Sequence, residues 1–196
     1  MTVEPTLVVL FRRPAPGIGK QRIAVDIGAV AASEISGRLL ECTLEDASDW
    51  PGPVVLATAE PRDTDWARSL LARECHVLAQ PPGNLGERIN EIDKRLRSNG
   101  HWKLLFIGSD APAHSAALYL QACAALVSAD VVLVPATDGG VTLMGARSPW
   151  PVLIDLPWST HRLCEPIERL NLGPIGYEKI SRKKPSSEKI SQCAAR

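Results

Sequence analysis

Five short apolar segments most constrain what this 196-residue chain can fold into. They are rich in leucine and β-branched residues, and several are apolar throughout, which is typical of strands buried on both faces of a sheet. The predicted strands are Leu7–Phe11, Val54–Ala59, Val77–Ala79, Leu104–Ile107 and Val131–Val134. Because such strands need helices on both sides, they restrict the chain to layered α/β folds.

Longer segments with helical spacing of apolar residues separate these strands. The predicted helices are Ile27–Leu44, Thr64–Arg73, Leu85–Arg97, Ala116–Leu126 and Thr160–Leu170. We expect Asp63 and Ser115 to cap two of them, since short polar side chains satisfy the exposed backbone N–H groups of a first turn. The alternation of strand and helix predicts right-handed βαβ units and a mostly parallel sheet. Val141–Gly145, after a Gly-Gly turn, is predicted as a further short strand for which an antiparallel direction is open.

The chain length suits one compact domain, which we place at residues 1–176. Residues 177–196 contain six lysines and arginines, several serines and few apolar residues. A segment of this composition cannot bury enough apolar surface to offset the entropy of ordering it. We therefore predict a basic, flexible tail there.

The overall composition excludes several function classes. Lysine plus arginine and aspartate plus glutamate both number 22, so net charge gives no case for binding nucleic acid or a membrane surface. The sequence shows neither a signal-peptide pattern nor an apolar stretch of membrane-spanning length, and we expect a cytoplasmic protein. Its five cysteines and four histidines have no metal-ligand spacing, and no Gly-x-Ser-x-Gly elbow is present.

Three loops are candidates for function because each follows a predicted strand. They are Arg12–Arg22, Gly108–His114 and Pro135–Gly140. In open α/β sheets, ligands bind beyond the carboxyl ends of the strands. Each of the three loops therefore lies where a ligand site is expected.

The first loop, RRPAPGIGKQR, resembles neither of the common phosphate-binding motifs. A P-loop needs glycine where Pro14 stands and a serine or threonine where Gln21 stands, and the third glycine of G-x-G-x-x-G is missing. Its chemistry nevertheless suits an anion. Glycines let backbone N–H groups approach a phosphate, and Arg12, Lys20 and Arg22 can form charge-assisted hydrogen bonds worth about 1.5–3 kcal/mol each. The alternative is a solvated turn with surface cations.

The second and third loops each contain an acidic residue. Asp110 lies just beyond an apolar strand, where a carboxylate can hold a divalent cation that bridges a diphosphate. The alternative for Asp110 is a helix cap or turn. Asp138-Gly139-Gly140 is either an acidic loop that lines a sugar or acceptor pocket, or a tight turn into the next strand.

Together, five ordered segments resemble a bacterial glycosyltransferase-A-like family related to nucleotide-diphospho-sugar transferases, one branch of which is named for arsenosugar biosynthesis. The segments are VVLFRRPAPGIGKQRIA, GNLGERI, FIGSDAP, ADVVLVPATDGGVTLMG and LPWST. The resemblance runs from about Thr6 to Leu172. It implies a three-layer Rossmann-like α/β fold, the GT-A nucleotide-diphospho-sugar transferase fold, with helices on both faces of a mostly parallel sheet.

The resemblance also implies roles for individual residues. Asp110 would be the ligand of Mg²⁺ or Mn²⁺, and Asp138 is the best candidate for a catalytic base. The nucleotide and its phosphates would be bound by Arg12, Gly17, Lys20, Arg22, Gly86 and Arg88. The substrate loop would comprise Gly139, Gly140, Trp158 and Ser159.

The sequence departs from the family pattern in its metal site. The late D-[VIL]-D-T-x-x-D segment that can complete that site has no counterpart, since no aspartate follows Gly173. Glu87 and Asp138 are the candidates to complete it. Gln21, Asn84 and Val141 stand where the family usually has threonine, aspartate and an aromatic residue.

The residues and the resemblance together support two classes of function. The first is a metal-dependent glycosyltransferase that takes a nucleotide-diphospho-sugar and an unknown acceptor, with a nucleotidyltransferase as the close variant. Positive charge in the first loop would then stabilise the leaving diphosphate. The second is a nucleotide-binding protein without catalysis, to which the incomplete metal site and the basic tail point.

Overall fold

A computed structural model describes residues 4–110, 114–158, 160, 162–170, 172 and 176–181. The strands are β1 (Thr6–Phe11), β2 (Val54–Thr58), β3 (His76–Ala79), β4 (Leu104–Gly108), β5 (Val131–Pro135), β6 (Val141–Ala146) and β7 (Tyr177–Lys179). The helices are α1 (Gln21–Ile27), α2 (Ala29–Ser48), α3 (Thr64–Arg68), α4 (Leu85–Ser98), α5 (Ala116–Ser128) and α6 (Cys164–Glu168).

The strands form one sheet in the order β3-β2-β1-β4-β6-β5-β7. β1 pairs in parallel with both β2 and β4, and β2 pairs in parallel with β3. β6 lies antiparallel between β4 and β5. Strand β6 therefore begins beside the end of β4. Its first residues lie at the edge of the sheet where the parallel strands end and where a ligand is expected.

The central strands are buried on both faces, as their continuous apolar sequences predict. In β1, Leu7 and Val9 pack into the layer that contains α2 and α5, whereas Val8 packs into the layer that contains α4. This alternation follows from the two-residue period of a strand. The expected three-layer Rossmann-like α/β architecture, with helices on both faces of a mostly parallel sheet, is confirmed.

The prediction of one helix over Ile27–Leu44 is wrong at its start. Two helices, α1 and α2, meet at Gly28, whose φ of 86° and ψ of 157° interrupt the helical path. The first of them, α1, has no buried residue. The apolar pattern missed α1 because that helix contributes nothing to the core.

The predicted helices Thr64–Arg73 and Thr160–Leu170 are much longer than the α3 and α6 that form. Asp63 belongs to the 3-10 turn Pro61–Asp63 and makes no side-chain cap hydrogen bond, so its predicted capping role is wrong. The other predicted cap is confirmed, since the Ser115 side chain accepts a hydrogen bond from the Leu118 N–H.

The chain beyond residue 176 begins with structure rather than with the predicted flexible tail. Residues Tyr177–Lys179 form β7, an edge strand that pairs in parallel with β5. Glu168 of α6 anchors this strand, because its carboxylate accepts hydrogen bonds from the Lys179 ammonium and the Tyr177 hydroxyl. A short strand of exposed residues at a sheet edge leaves no apolar pattern in the sequence. The composition of residues 177–196 therefore predicted a flexible tail where this strand begins. Residues 182–196 lie outside the described part.

No helix in the described part of the chain combines the length and the apolar character that a membrane crossing requires.

Candidate functional site

A cavity of about 430 Å³ opens at the carboxyl edge of the sheet. The residue that follows each of four parallel strands lines it: Arg12 after β1, Ala59 after β2, Gln80 after β3 and Ser109 after β4. The start of β6 adds Val141 and Thr142. The cavity therefore lies where the parallel strands end, as is usual for ligand sites in open α/β sheets.

The first loop reaches the cavity through an unusual backbone. Gly17, Gly19 and Lys20 have φ angles of 77°, 67° and 49°, and Lys20 is the one non-glycine residue with positive φ in the described part of the chain. The Ile18 N–H donates to the Ala15 carbonyl, which closes a tight turn. The Gln21 amide donates to the Gly17 carbonyl at 2.7 Å. Gln21, which stands where the resembled family usually has threonine, thus stabilises the conformation of this loop.

Lys20 and Asp110 form an ion pair within the cavity. The distance between the Lys20 Nζ and the Asp110 Oδ1 is 2.8 Å. The lysine side chain is 18% exposed and the aspartate side chain is 70% exposed. The two predicted loops therefore meet, but the carboxylate expected to hold a metal ion faces an ammonium group.

Arg88 also lines the cavity and is held there by two acceptors. Its Nε donates to the Gly83 carbonyl at 2.9 Å, and one Nη donates to the Gln80 side-chain oxygen at 3.2 Å. The Gln80 amide in turn donates to the carbonyls of Ala57 and Phe11. Gln80 thus links the ends of β1, β2 and β3 to one cationic side chain.

Arg13 is a further cation at the cavity. Its guanidinium lies 4.8 Å from the centre of the Trp66 ring and 3.6 Å from the Asp63 carboxylate. A cation above an aromatic face is stabilised by the ring's quadrupole. These two contacts hold the Arg13 side chain while half of it stays exposed.

A buried polar network supports the wall of the cavity at β6. The Thr142 hydroxyl donates to the Val134 carbonyl, and its oxygen lies 3.1 Å from the His114 Nε2. The Tyr119 hydroxyl lies between the His114 Nδ1 and the Asp46 carboxylate. Burial and the neighbouring Asp46 raise the pKa of Tyr119 far above its ordinary range, so its hydroxyl stays protonated.

Five of the predicted site residues line the cavity: Arg12, Lys20, Arg88, Asp110 and Trp158. The other described ones do not: Gly17, Arg22, Gly86, Asp138, Gly139 and Gly140. Ser159 lies outside the described residues. The structure thus brings four of the predicted phosphate-site and metal-site residues together with one residue of the predicted substrate loop.

Gly86 has a packing role next to the cavity. A Cβ atom at this position would lie 2.2 Å from the Leu153 carbonyl oxygen and 2.5 Å from the Trp158 Nε1. Those two groups are hydrogen-bonded to each other, since the Trp158 indole N–H donates to the Leu153 carbonyl at 2.7 Å. Glycine at 86 therefore lets α4 approach the segment that positions Trp158.

Asp138 has the geometry of a turn residue. Its carboxylate accepts a hydrogen bond from the Gly140 N–H at 3.1 Å, and the Ala136 N–H donates to the Gly140 carbonyl. Gly139 has a φ of 86°, which glycine adopts without strain. The contacts of this loop agree with the turn that the sequence left open as an alternative.

The described residues do not fit a divalent cation well. Asp110 is the one carboxylate among the described residues that line the cavity, and the Lys20 ammonium faces it. Glu87, a candidate to complete the site, accepts the Asn84 N–H at 2.7 Å in a capping box at the start of α4. No group of three potential ligands occurs in the described part of the chain. Magnesium usually takes one or two protein carboxylates in addition to phosphate oxygens, and the one carboxylate of the described lining is already paired with an ammonium group.

Sequence reasoning missed Arg13 and Gln80. Both had the signal that singled out Asp110, namely a polar residue at or next to the end of an apolar strand. Arg13 lies at a variable position of the first family-like segment, and Gln80 lies in none of the five. The distances from Gln80 to Arg88 and from Arg13 to Trp66 depend on how neighbouring strand ends are arranged.

Solved structures share this fold. A proposed nucleotide-diphospho-sugar transferase from Desulfovibrio desulfuricans G20 superposes with a TM-score of 0.80 at 21% identity, over 90% of this chain and 79% of that chain. A cytidylyltransferase from Leptospira borgpetersenii serovar Hardjo-bovis (strain JB197) has a TM-score of 0.54 at 12% identity, covering 95% and 79% of the two chains.

A third structure with this fold contains a metal. The manganese complex of Rv0371C from Mycobacterium tuberculosis H37Rv has a TM-score of 0.51 at 12% identity, covering 97% of this chain and 98% of that chain. At such low identities these similarities establish the fold alone. No curated protein matches this chain.

A family model matches the chain itself. The model describes an uncharacterised protein conserved in bacteria, DUF2064, and it matches residues 43–160, which is more than half of the chain. That range includes Arg88, Asp110 and Trp158 of the cavity. The chain therefore belongs to the DUF2064 family of bacterial proteins, on a nucleotide-diphospho-sugar transferase fold.

Proposed function

We propose that the cavity binds the diphosphate of a nucleotide-diphospho-sugar and that the protein transfers the sugar to an acceptor. The observation that carries this proposal is the charge of the cavity. Four cations, Arg12, Arg13, Lys20 and Arg88, and one carboxylate, Asp110, are the charged residues among the described lining, which gives a formal charge of +3 (four minus one). The whole chain has a net charge of +0. The excess of positive charge is thus local, as a polyanionic ligand requires.

The arrangement suits the departure of a diphosphate. Sugar transfer from a nucleotide donor breaks the bond between the anomeric carbon and the diphosphate, and negative charge accumulates on the leaving oxygen. Cations positioned around that oxygen stabilise the transition state, and they do so most effectively where water is excluded. Arg88 is pre-positioned for this task, because two of its five N–H donors are already bonded to Gly83 and Gln80.

The reaction also needs a catalytic base that takes a proton from the acceptor. Asp138 keeps its place as the candidate base from the family resemblance, although it lies outside the cavity lining and its carboxylate is engaged by the Gly140 N–H. A divalent cation is not part of this proposal, because the described carboxylates do not fit one. The manganese complex of a protein with the same fold makes the metal-dependent form the alternative to test.

A nucleotidyltransferase is the second candidate function. The similarity in fold to a cytidylyltransferase favours it. In that reaction an acceptor attacks the α-phosphorus of a nucleoside triphosphate and pyrophosphate leaves. The same cations would stabilise the leaving group, so the cavity charge does not separate the two reactions.

Thermal unfolding with a panel of nucleotides and nucleotide-sugars tests the proposal. A ligand at 100 times its dissociation constant stabilises the folded state by about 2.7 kcal/mol, which is a measurable shift of Tm. Arg88→Ala should abolish the shift, whereas Arg95→Ala, which removes an exposed arginine of the same helix, should retain it. Absence of a shift with every ligand would contradict the proposed nucleotide site.

Product analysis with the stabilising ligand then separates the candidate reactions. Release of a nucleoside diphosphate from a nucleotide-sugar indicates glycosyl transfer. Release of pyrophosphate from a triphosphate indicates nucleotidyl transfer. Binding with neither product, across a broad acceptor panel, would favour a binding protein on this fold.

A further inference from the structure

The ion pair between Lys20 and Asp110 is formed by two residues that the sequence predicted to act separately. The sequence predicts that Lys20 binds a phosphate and that Asp110 is the ligand of a metal ion. Instead, the ammonium nitrogen lies 2.8 Å from a carboxylate oxygen of Asp110. A cation bound by Asp110 would have to share that carboxylate with the ammonium group.

The backbone of Lys20 is held at the start of α1. It has the left-handed conformation, with φ 49° and ψ 29°, which is uncommon and costly for a residue with a side chain. Its carbonyl accepts the N–H groups of Ile23 and Ala24 at the start of α1. Such strain persists only where the surroundings over-determine it, and it is concentrated at functional sites.

The remaining donors of the ammonium suit a phosphate. A lysine ammonium has three N–H donors, and the Asp110 contact engages one of them. Lys20 lines the cavity together with Arg12 and Arg88. A diphosphate in this cavity could therefore receive hydrogen bonds from Lys20 while the carboxylate still orients its side chain.

We propose that the Lys20 ammonium, oriented by Asp110, takes the place of a divalent cation, so that the chain binds the diphosphate of a nucleotide without metal. This inference rests on the proposed nucleotide site and adds how that site neutralises its ligand. Asp110 is then a positioning residue for Lys20. A divalent cation would be repelled by the ammonium and by a lining that already has an excess of three positive charges.

The two roles of Asp110 predict opposite effects of Asp110→Asn. If Asp110 orients Lys20, the asparagine oxygen can still accept a hydrogen bond from the ammonium, while the one carboxylate of the described lining is lost. The binding of a nucleoside diphosphate in a chelator should then tighten several-fold, because the positive charge of the lining increases. If Asp110 binds a metal ion, the same substitution should weaken binding in the presence of Mn²⁺.

The experiment is a calorimetric titration of the full chain with UDP and with GDP, in EDTA and then in Mg²⁺ or Mn²⁺. The wild type should bind one of the two with the same affinity, within about twofold, under both conditions. Lys20→Met should weaken binding at least tenfold in EDTA. Mn²⁺ should restore part of the lost affinity, because Asp110 without its lysine partner is free to hold a cation. Lys94→Met, at an exposed position of α4, is the matched control.

A second variant covers the case in which Lys20→Met does not fold. Lys20→Asn removes the charge but tolerates the left-handed backbone, and it should show the same loss of affinity. Wild-type binding that requires Mn²⁺ and is lost in Asp110→Asn would overturn this inference and leave the nucleotide site intact. Absence of binding to either nucleotide under all conditions would overturn both.

Discussion

At the scale of single residues, the cavity depends on side chains that hold other side chains. Gln80 is nearly buried, and its amide group joins the carbonyls of Ala57 and Phe11 to the guanidinium of Arg88. A glutamine can do this because it has both an acceptor oxygen and two N–H donors. We expect Gln80 to position Arg88 for a ligand rather than to contact the ligand itself.

Substitution of Gln80 tests this role. Gln80→Leu should weaken nucleotide binding about three- to tenfold and lower the free energy of unfolding by about 1–3 kcal/mol, because buried polar partners lose their hydrogen bonds. Gln80→Glu keeps an acceptor for Arg88 but loses the donors to the carbonyls. It should therefore regain much of the affinity while remaining destabilised.

Calorimetric titration and denaturant unfolding measure the two quantities separately. Gln121→Leu, at an exposed position of α5, is the control for adding an apolar side chain. Equal loss of affinity in both Gln80 variants would indicate a general structural effect and would argue against the positioning role.

At the scale of elements, α1 differs from the other helices of the first half of the chain. It has no buried residue, and it exposes Ile23, Val25 and Ile27, with Val25 85% exposed. It begins at the strained Lys20 and ends at Gly28, which breaks it from α2. Since a short helix gains most of its stability from packing, α1 depends on its connection to the cavity loop.

Hydrogen exchange should reveal this dependence. The amides of α1 should exchange much faster than those of α4, which has a capping box and buries Ile89 and Ile92. A nucleotide that engages Lys20 should slow exchange in α1, because Lys20 supplies the carbonyl that starts the helix. Unchanged exchange in α1 at saturating nucleotide would contradict contact between the ligand and this loop.

At the scale of the whole molecule, the insertion of β6 between β4 and β5 shapes the ligand edge of the sheet. It places Val141 and Thr142 in the cavity wall beside the end of β4. Gly145 in β6 leaves room for the side chains of the residues opposite it in β4 and β5. A Cβ atom there would come within 2.4 Å of Leu105 and 2.6 Å of Val132.

Gly145→Ala should therefore destabilise the entire domain. Overpacking of a full core typically costs about 1–3 kcal/mol, and each kcal/mol lowers the Tm of a chain of this size by about 2–4 °C. Gly37→Ala, on α2, is the control because a Cβ atom there meets no neighbour. A Tm for Gly145→Ala that is not below the wild-type value would show that the sheet can relax around the added methyl group.

Much of the fold followed from local sequence. Leu104–Ile107 and Val131–Val134 are apolar throughout, and such a run can be buried only between two layers, so the strands and the α/β class were predictable. That the loops after Phe11 and Gly108 lie at one edge of the sheet was also predictable, because in this class the strand ends meet there. By contrast, α1 and β7 contain no fully buried residue and left no signal.

By itself, then, the sequence determined the layered α/β class, the positions of the central strands and the presence of cations and one carboxylate at their ends. The tertiary structure decided which of these charges meet. Lys20 and Asp110 are distant in the chain, and Gln80 reaches Arg88 only through the capped start of α4. Local residue types determine which segments are buried. The partner of a charged side chain depends instead on which strand ends lie side by side, and that is a property of the assembled sheet.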